Sequence, residues 1–246
     1  MSIPKIIHYC WFGGGAISPE NRKCMESWKK YCPDYKIIEW NDQNFDISTN
    51  RYAQQAYEAK KYAFVSDYVR LAVLYEYGGI YLDTDVELVR PLDELLELPG
   101  FMGFQTNNEV ATGLGFGARK GNSVVQALLR DYDALDFLKA DGSADLTPCP
   151  ERNTRVLQAL GVRKDGTRQS IAEMEIFPAE YFCPMDLYSR KLRVTPKTYS
   201  IHRYAESWKP KPSAVSRILQ RLLKKHYYTW YCPLRGRIEG RLRKRT

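Results

Sequence analysis

The run GGIYLDTDVEL, residues 78–88, decides how this chain is read. A double glycine opens it, three apolar residues follow, and then two carboxylates, Asp83 and Asp85, stand two positions apart. Like charges that close repel. Either water screens them in a plain Asp-x-Asp turn, or a cation sits between them. An apolar strand that ends in acids delivers them to the crevice at the carboxyl edge of an α/β sheet, where ligands bind. Two hard oxygen ligands with open coordination positions suit Mg²⁺ or Mn²⁺ shared with substrate phosphates.

The flanking sequence supplies the sheet. IPKIIHYCWFGGG reads as a buried strand running into a glycine turn, and Pro19 opens a helix that Pro33 ends. YKIIEW reads as a second strand, so the chain begins as a parallel βαβ unit. KKYAFVSDYVRLAVLYEYGG reads as a long helix closed by Gly78, with Val65, Val69, Val73 and Tyr77 at spacing four. IYLDTDVELV follows as one strand. FMGFQ and GLGFGAR read as strands, NSVVQALLRDYDAL as a helix, 139–152 as loop, 153–160 as a short helix and EIFP as a strand.

With 246 residues and 44% apolar side chains, the chain can bury a sizeable core. Its 18 tyrosines and 5 tryptophans serve equally a core and a sugar or base site. No apolar run reaches the roughly 18 residues of a membrane span, and Met-Ser-Ile-Pro-Lys shows no secretory signal. Six scattered cysteines without a C-x-x-C pair point to free thiols in a reducing cytoplasm, and not to zinc. The net charge of +8 is unevenly placed. Residues 209–246 hold twelve Lys/Arg against one acid, whereas residues 1–208 hold 25 basic and 28 acidic side chains. The expected division is an α/β domain over 1–208 and a basic tail over 209–246.

Three further clusters carry chemistry. In SDYVR, Ser66, Asp67 and Arg70 lie within one helical turn that ends just before the Asp-x-Asp strand. Asp67 can accept sugar hydroxyls and Arg70 can add charge beside a sugar or phosphate; a surface ion pair is the plainer alternative. In TYSIHRYAESW, His202 can complete a metal sphere with the two aspartates, or be structural, and Ser207 and Trp208 offer donors to phosphate oxygens. In IHYCWFGG, Trp11 beside Gly13 and Gly14 can stack on a flat base, or fill the core.

These stretches together resemble the retaining, DXD-containing sugar transferases of glycosyltransferase family 32. That family includes bacterial capsule and lipopolysaccharide enzymes and yeast mannosyltransferase-like proteins, and more distantly the glucosyltransferase domain of large clostridial toxins. IPKIIHYCWFGG, SW at 27–28, A-x-x-SD-x-x-R at 63–70, LYEYGGIYLDTDVE, FPAEYFCP and TYSIHRYAESW run in family order over residues 3–208. The resemblance implies a GT-A fold: a Rossmann-like nucleotide-binding sheet with a smaller acceptor-side region. It implies a nucleotide-diphosphate sugar donor, UDP-Gal or UDP-Glc by bacterial likeness, and Mn²⁺ or Mg²⁺. Its donor set is Trp11, Phe12, Gly13, Ser66, Asp67, Arg70, Asp83, Thr84, Ser207 and Trp208. Asp83, Asp85 and Arg70 are catalytic, and Asp83, Asp85 and His202 hold the metal. The chain departs from the pattern at Arg203 and Tyr204, where relatives often carry a second His or Trp. Asn107, Asn108 and Glu109 stand where acceptor contacts are plausible.

The tail places Val215, Ile218, Leu219, Leu222 and Leu223 at helical spacing among basic residues, followed by Tyr227, Tyr228, Trp230 and Tyr231. That pattern suits an anionic membrane surface, useful for a lipid-linked glycan acceptor on the inner face of the cytoplasmic membrane; packing on the domain and nucleic-acid binding are the alternatives. Two rival functions remain. IYLDTDV also fits a haloacid-dehalogenase-type phosphatase with Asp83 as nucleophile and Asp85 as acid/base, but 160–208 lacks the acidic pair that chemistry needs. A pI of 9.1 suits nucleic-acid binding, but the slightly acidic main body does not.

Overall fold

The computed structural model describes residues 2–186 and 189–205. The basic tail, Ser207 and Trp208 lie outside the described residues.

β1 (Ile6–Cys10), α1 (Pro19–Tyr31) and β2 (Lys36–Trp40) form the expected parallel βαβ unit, with Ile6 opposite Lys36 and Cys10 opposite Trp40. Ser18 caps α1 by accepting from the Asn21 amide at 3.1 Å, and Pro19 occupies the first turn, where its missing N–H costs nothing. Then come α2 (Arg51–Glu58), which the sequence reading passed over, and α3 (Tyr62–Tyr77). α3 is buried nearly all round, and Gly78 ends it at φ +66°; a Cβ there would lie 2.8 Å from the Lys120 amide nitrogen.

β3 (Gly79–Tyr81) pairs parallel with β1. The expected single strand over 80–89 is in fact two. β4 (Val86–Leu88) leaves the main sheet and pairs antiparallel with β10 (Ser200–His202) in a separate ribbon. The break is the acidic stretch itself: the Val86 amide donates to the Asp83 carbonyl at 2.9 Å, which turns the chain out of the sheet.

The remaining elements are β5 (Gly100–Phe104), β6 (Val110–Ala111), β7 (Phe116–Ala118), α4 (Ser123–Asp133), α5 (Cys149–Ala159), β8 (Gln169–Ile171), β9 (Met174–Phe177) and α6 (Ala179–Phe182). α5 starts at Cys149, inside the segment read as loop, because Pro150 fits a first helical turn as readily as a loop. The main sheet runs β2-β1-β3-β7-β5-β9-β8, with β6 added on β5. It is mixed: β7 runs antiparallel to both β3 and β5. The α/β class expected from the sequence is the one observed.

Strand side chains alternate between two cores, as a period of two requires. Ile80 and Phe101 face one cluster with Trp28, Leu88 and Phe182, whereas Tyr81, Met102 and Phe104 face the other with α2, α3 and α4. Cys10, Cys24, Cys32, Cys149 and Cys183 are buried free thiols. Among the described residues no helix is long and apolar enough to cross a membrane.

His8, fully buried on β1, is a structural element here. Its Nε2–H donates to the Gly78 carbonyl at 2.9 Å and its Nδ1 accepts from the Trp40 indole at 3.0 Å, so both ring nitrogens are satisfied only in the neutral form. Burial lowers its pKa to about 4. Between that value and the ordinary 6.5 the unfolded chain binds more protons than the native one, so this contribution is complete above pH 6.5 and is lost as pH falls toward 4. The full contribution is about 3 kcal/mol. His8→Gln should therefore narrow its stability gap to the parent across that window in urea titrations; a gap independent of pH would remove the assignment.

Candidate active site

Two separate elements grip the Asp83-Thr84-Asp85 turn. From α1, Asn21 Nδ2 donates to Thr84 Oγ1 at 2.9 Å, Trp28 Nε1 donates to the Val86 carbonyl at 2.7 Å, and Ser27 Oγ accepts from the Leu88 amide at 2.8 Å. The SW pair at 27–28 is thus a clamp on the strand after the acids. From β10, register places His202 opposite Val86, and the Arg203 amide donates to the Asp85 carbonyl at 3.0 Å. The ribbon therefore carries an imidazole from 117 positions downstream to the second acid.

Ligand atoms of Asp83, Asp85 and His202 all lie within 4.8 Å of one another, the one such group of three among the described residues. His202 Nε2 stands 3.2 Å from Asp85 Oδ1, and Asp85 Oδ2 accepts the Ala205 amide at 2.7 Å. Burial would raise Asp85, but the His202 charge, its hydrogen bond and the Ala205 N–H outweigh it and hold the carboxyl at about 2. Burial would likewise lower His202, and Asp85 raises it instead. His202 Nδ1 is buried without a partner. The donor set, two carboxylates and one imidazole, suits a divalent cation that prefers oxygen and tolerates nitrogen.

Asp83 is also held from the side of α3. Its Oδ1 accepts from Arg70 Nη2 at 3.0 Å and from the Tyr81 hydroxyl at 3.1 Å. Arg70 Nη2 also pairs with Asp67 at 3.2 Å, and the guanidinium lies over the Tyr81 ring at 4.9 Å. Arg70 and Asp67 are 5% and 8% exposed, so the surface ion-pair alternative is excluded. Burial lifts Asp67 to about 6 against the pull of Arg70. Gly113 makes room for all this: a Cβ on it would fall 2.0 Å from Asp83 Oδ2.

Trp11 is half-buried and donates its indole N–H to the Gly15 carbonyl at 2.5 Å. With Asn21, Cys24, Glu87, Arg203 and Ala205 it lines a cavity of about 740 Å³ beside the acidic turn. Other members of the expected donor set have partners within the protein. The Phe12 ring is packed in the core, two residues past the end of β1. Gly13, at φ +80°, ties its amide to Asp42 Oδ2 at 3.0 Å, and Ser66 Oγ donates to the Tyr62 carbonyl at 3.0 Å. Arg203 pairs with Glu87, and the Tyr204 hydroxyl meets Cys183 Sγ at 2.8 Å, so both departures from the family pattern have structural partners. Glu109 is tied to Asn107 at 2.9 Å and Lys164 at 3.1 Å in the β5–β6 turn. Sequence reasoning missed Asn21, Tyr81 and Gly113. Of these, Tyr81 and Gly113 stood in segments already singled out, and Asn21 bore no local mark.

Residues 18–101, from the cap of α1 to the second residue of β5, match the family described as "Glycosyltransferase sugar-binding region containing DXD motif". The chain is similar to inositol phosphoceramide mannosyltransferase 3 of Schizosaccharomyces pombe, with 30% identity over 151 residues, 55% of this chain and 39% of that protein. It spans about two fifths of that relative's length. It is also similar to an uncharacterised glycosyltransferase of Acanthamoeba polyphaga mimivirus, with 26% identity over 219 residues, 85% of this chain and 84% of that one. Among solved structures it is similar to the PaToxG glycosyltransferase, at 22% identity and a TM-score of 0.48, covering 64% of this chain and 70% of that one.

Proposed function

We propose that the chain is a metal-dependent retaining glycosyltransferase that moves a hexose from a nucleotide-diphosphate sugar to a glycan acceptor in surface-polysaccharide synthesis. The observation that carries this is the convergence of Asp83, Asp85 and His202 beside a buried Arg70–Asp67 pair, with the two aspartates and that pair inside the matched DXD sugar-binding region. Asp85 and His202, with Asp83, would hold Mn²⁺ or Mg²⁺. When bound, that ion supplies charge stabilisation to a departing pyrophosphate. Arg70 adds fixed positive charge on the sugar side, in a site already desolvated, where electrostatic stabilisation is strongest. Asp67 accepts donor hydroxyls, Trp11 stacks on the base at the cavity mouth, and Asn21 holds Thr84 so that the acids keep their spacing. In this reading the acceptor hydroxyl attacks from the face the nucleotide leaves, and its proton passes to the departing phosphate, so no side-chain base is required. Ser207 and Trp208 complete the diphosphate contacts.

UDP-Gal and UDP-Glc are the proposed donors. A mannose donor is a second reading, favoured by the similarity to the fission-yeast mannosyltransferase. Nucleotide release from UDP-Gal, UDP-Glc and GDP-Man with Mn²⁺, against p-nitrophenyl phosphate, tests the proposal. Turnover of a nucleotide sugar alone supports it, and turnover of the phosphomonoester alone returns the phosphatase reading. Trp11→Ala should weaken nucleotide affinity by about 1–3 kcal/mol, the range of base–aromatic stacking. Normal affinity with a large drop in Tm would make Trp11 a packing residue.

The proposal places the enzyme in the cytoplasm, peripheral on the inner membrane face through residues 209–246. The support is their twelve basic residues and aromatic run. Full-length chain should float with anionic liposomes, and a chain ending at Ser213 should not; equal partitioning of the two ends that part of the reading.

A further inference from the structure

The segment FPAEYFCP, residues 177–184, has no part in the site described so far. Its helix, α6, forms a wall behind β10. Thr198 Oγ1 donates to the Glu180 carbonyl at 2.8 Å, the Tyr199 amide donates to the Tyr181 carbonyl at 2.7 Å, and the Ser200 hydroxyl reaches the Leu114 and Phe182 carbonyls at 2.9 and 3.3 Å. The Phe182 and Tyr199 rings stack at 5.9 Å. One more contact carries this wall past the end of the strand. The Tyr204 hydroxyl meets the sulfur of Cys183, the fully buried residue that caps α6, at 2.8 Å.

Tyr204 is held in a costly conformation. Among the described residues five that are not glycine have φ between +44° and +61°, and Tyr204, at +52°, is the buried one. For a bulky side chain the left-handed region is a genuine outlier, and it persists only where the surroundings over-determine it. Here they do. The Tyr204 ring stands edge-on to the His202 imidazole, with centroids 4.3 Å apart, and the Arg190 guanidinium lies 5.0 Å from the centre of the tyrosine ring. The turn also sets the backbone. Before it, the Arg203 amide donates to the Asp85 carbonyl at 3.0 Å; after it, the Ala205 amide donates to Asp85 Oδ2 at 2.7 Å. Asp85 Oδ1 is left toward His202 Nε2, at 3.2 Å. One residue thus bears on both the second acid and the imidazole of the cluster.

Resting on the metal-binding part of the reading above, we propose that Tyr204 is the positioning residue of the cation site. Its ring fixes the His202 imidazole, its left-handed turn fixes the Asp85 carboxylate through the Ala205 N–H, and α6 is the wall that holds Tyr204 in place. Tyr204 acts only through those two side chains. Groups that orient metal ligands from outside commonly set metal affinity by about 10–100-fold.

The test uses full-length chain and Mn²⁺ alone, with the free ion followed by electron paramagnetic resonance and Tm by calorimetry. Tyr204→Ala removes the ring. Tyr204→Gly removes it too but adopts the left-handed turn without strain, so one of the two stays readable if the other folds poorly. Both should weaken Mn²⁺ binding by about 10-fold or more, whereas Tyr204→Phe, which keeps the ring against His202, should stay within about threefold of the parent. Phe137→Leu, in the opposite core cluster, should lower Tm and leave Mn²⁺ affinity at the parent value. Parental affinity in the Ala and Gly variants overturns the proposal, and so does a Phe variant as weak as the Ala one. A loss in Phe137→Leu as large as theirs also overturns it, since the effect would then be one of stability alone. A parent chain that does not bind Mn²⁺ would instead sink the metal-binding reading itself, and this proposal with it.

Discussion

Asp85→Asn is expected to abolish turnover, by about three orders of magnitude or more, while leaving the fold intact. The size follows from the several kcal/mol of transition-state charge stabilisation that a divalent ion supplies, at tenfold in rate per 1.36 kcal/mol. The site explains why the fold survives. Asn is isosteric, its side-chain oxygen can still accept the Ala205 amide, and the Asp85 backbone keeps its bond from the Arg203 amide. What disappears is the negative charge held at about 2 and facing His202 at 3.2 Å. Calorimetric titration should show Mn²⁺ affinity and Mn²⁺-dependent donor affinity falling together, with Tm close to the parent. Unchanged Mn²⁺-dependent donor binding would remove Asp85 from the ligand set.

Arg70→Ala is expected to be the most damaging single change to stability. Arg70 sits between two carboxylates, at 3.0 Å from Asp83 and 3.2 Å from Asp67, and its side chain is 6% exposed. Removing one partner of a buried pair strands the remaining charge, which costs about 3–5 kcal/mol. Asp67, already lifted to about 6 by burial, would rise further, so the defect should deepen as pH climbs and Asp67 is forced to ionise. Asp67→Asn in the Arg70→Ala background should recover part of the loss, because the stranded charge is gone. Urea unfolding at pH 5 and pH 8 measures both effects. A cost under about 1 kcal/mol, equal at the two pH values, would show that Arg70 is not the hub of this cluster. Arg70→Lys should fall between, since one ammonium lacks the fork that spans two carboxylates.

Much of the site was legible because its signals are local. The double glycine, the apolar triplet and the acids sit within one short run, and SDYVR lies within one helical turn. Less was legible in the strand after the acids. An apolar, β-branched run such as VELV reads the same whether it continues one strand or starts another, and only the Val86–Asp83 turn and the pairing with β10 tell the two apart. α5 was half-hidden for a similar reason, since Pro148 and Pro150 read as loop until the helix whose cap and first turn they occupy is seen. Asn21 carried no mark, because a polar residue gains meaning only from what it is buried against.

By itself the sequence determined the α/β class, the βαβ opening, the acidic turn, the free-thiol character and the segregation of basic charge into the tail. These follow from periodicity, turn chemistry and composition, which act over a few residues or over the whole chain. Tertiary structure alone decided that His202 meets Asp85, that α1 clamps the acidic turn, and that Arg70 is buried between two carboxylates. Those contacts join positions many tens of residues apart, and only the packing of the mixed sheet against its helices and the β4–β10 ribbon brings them within hydrogen-bond reach.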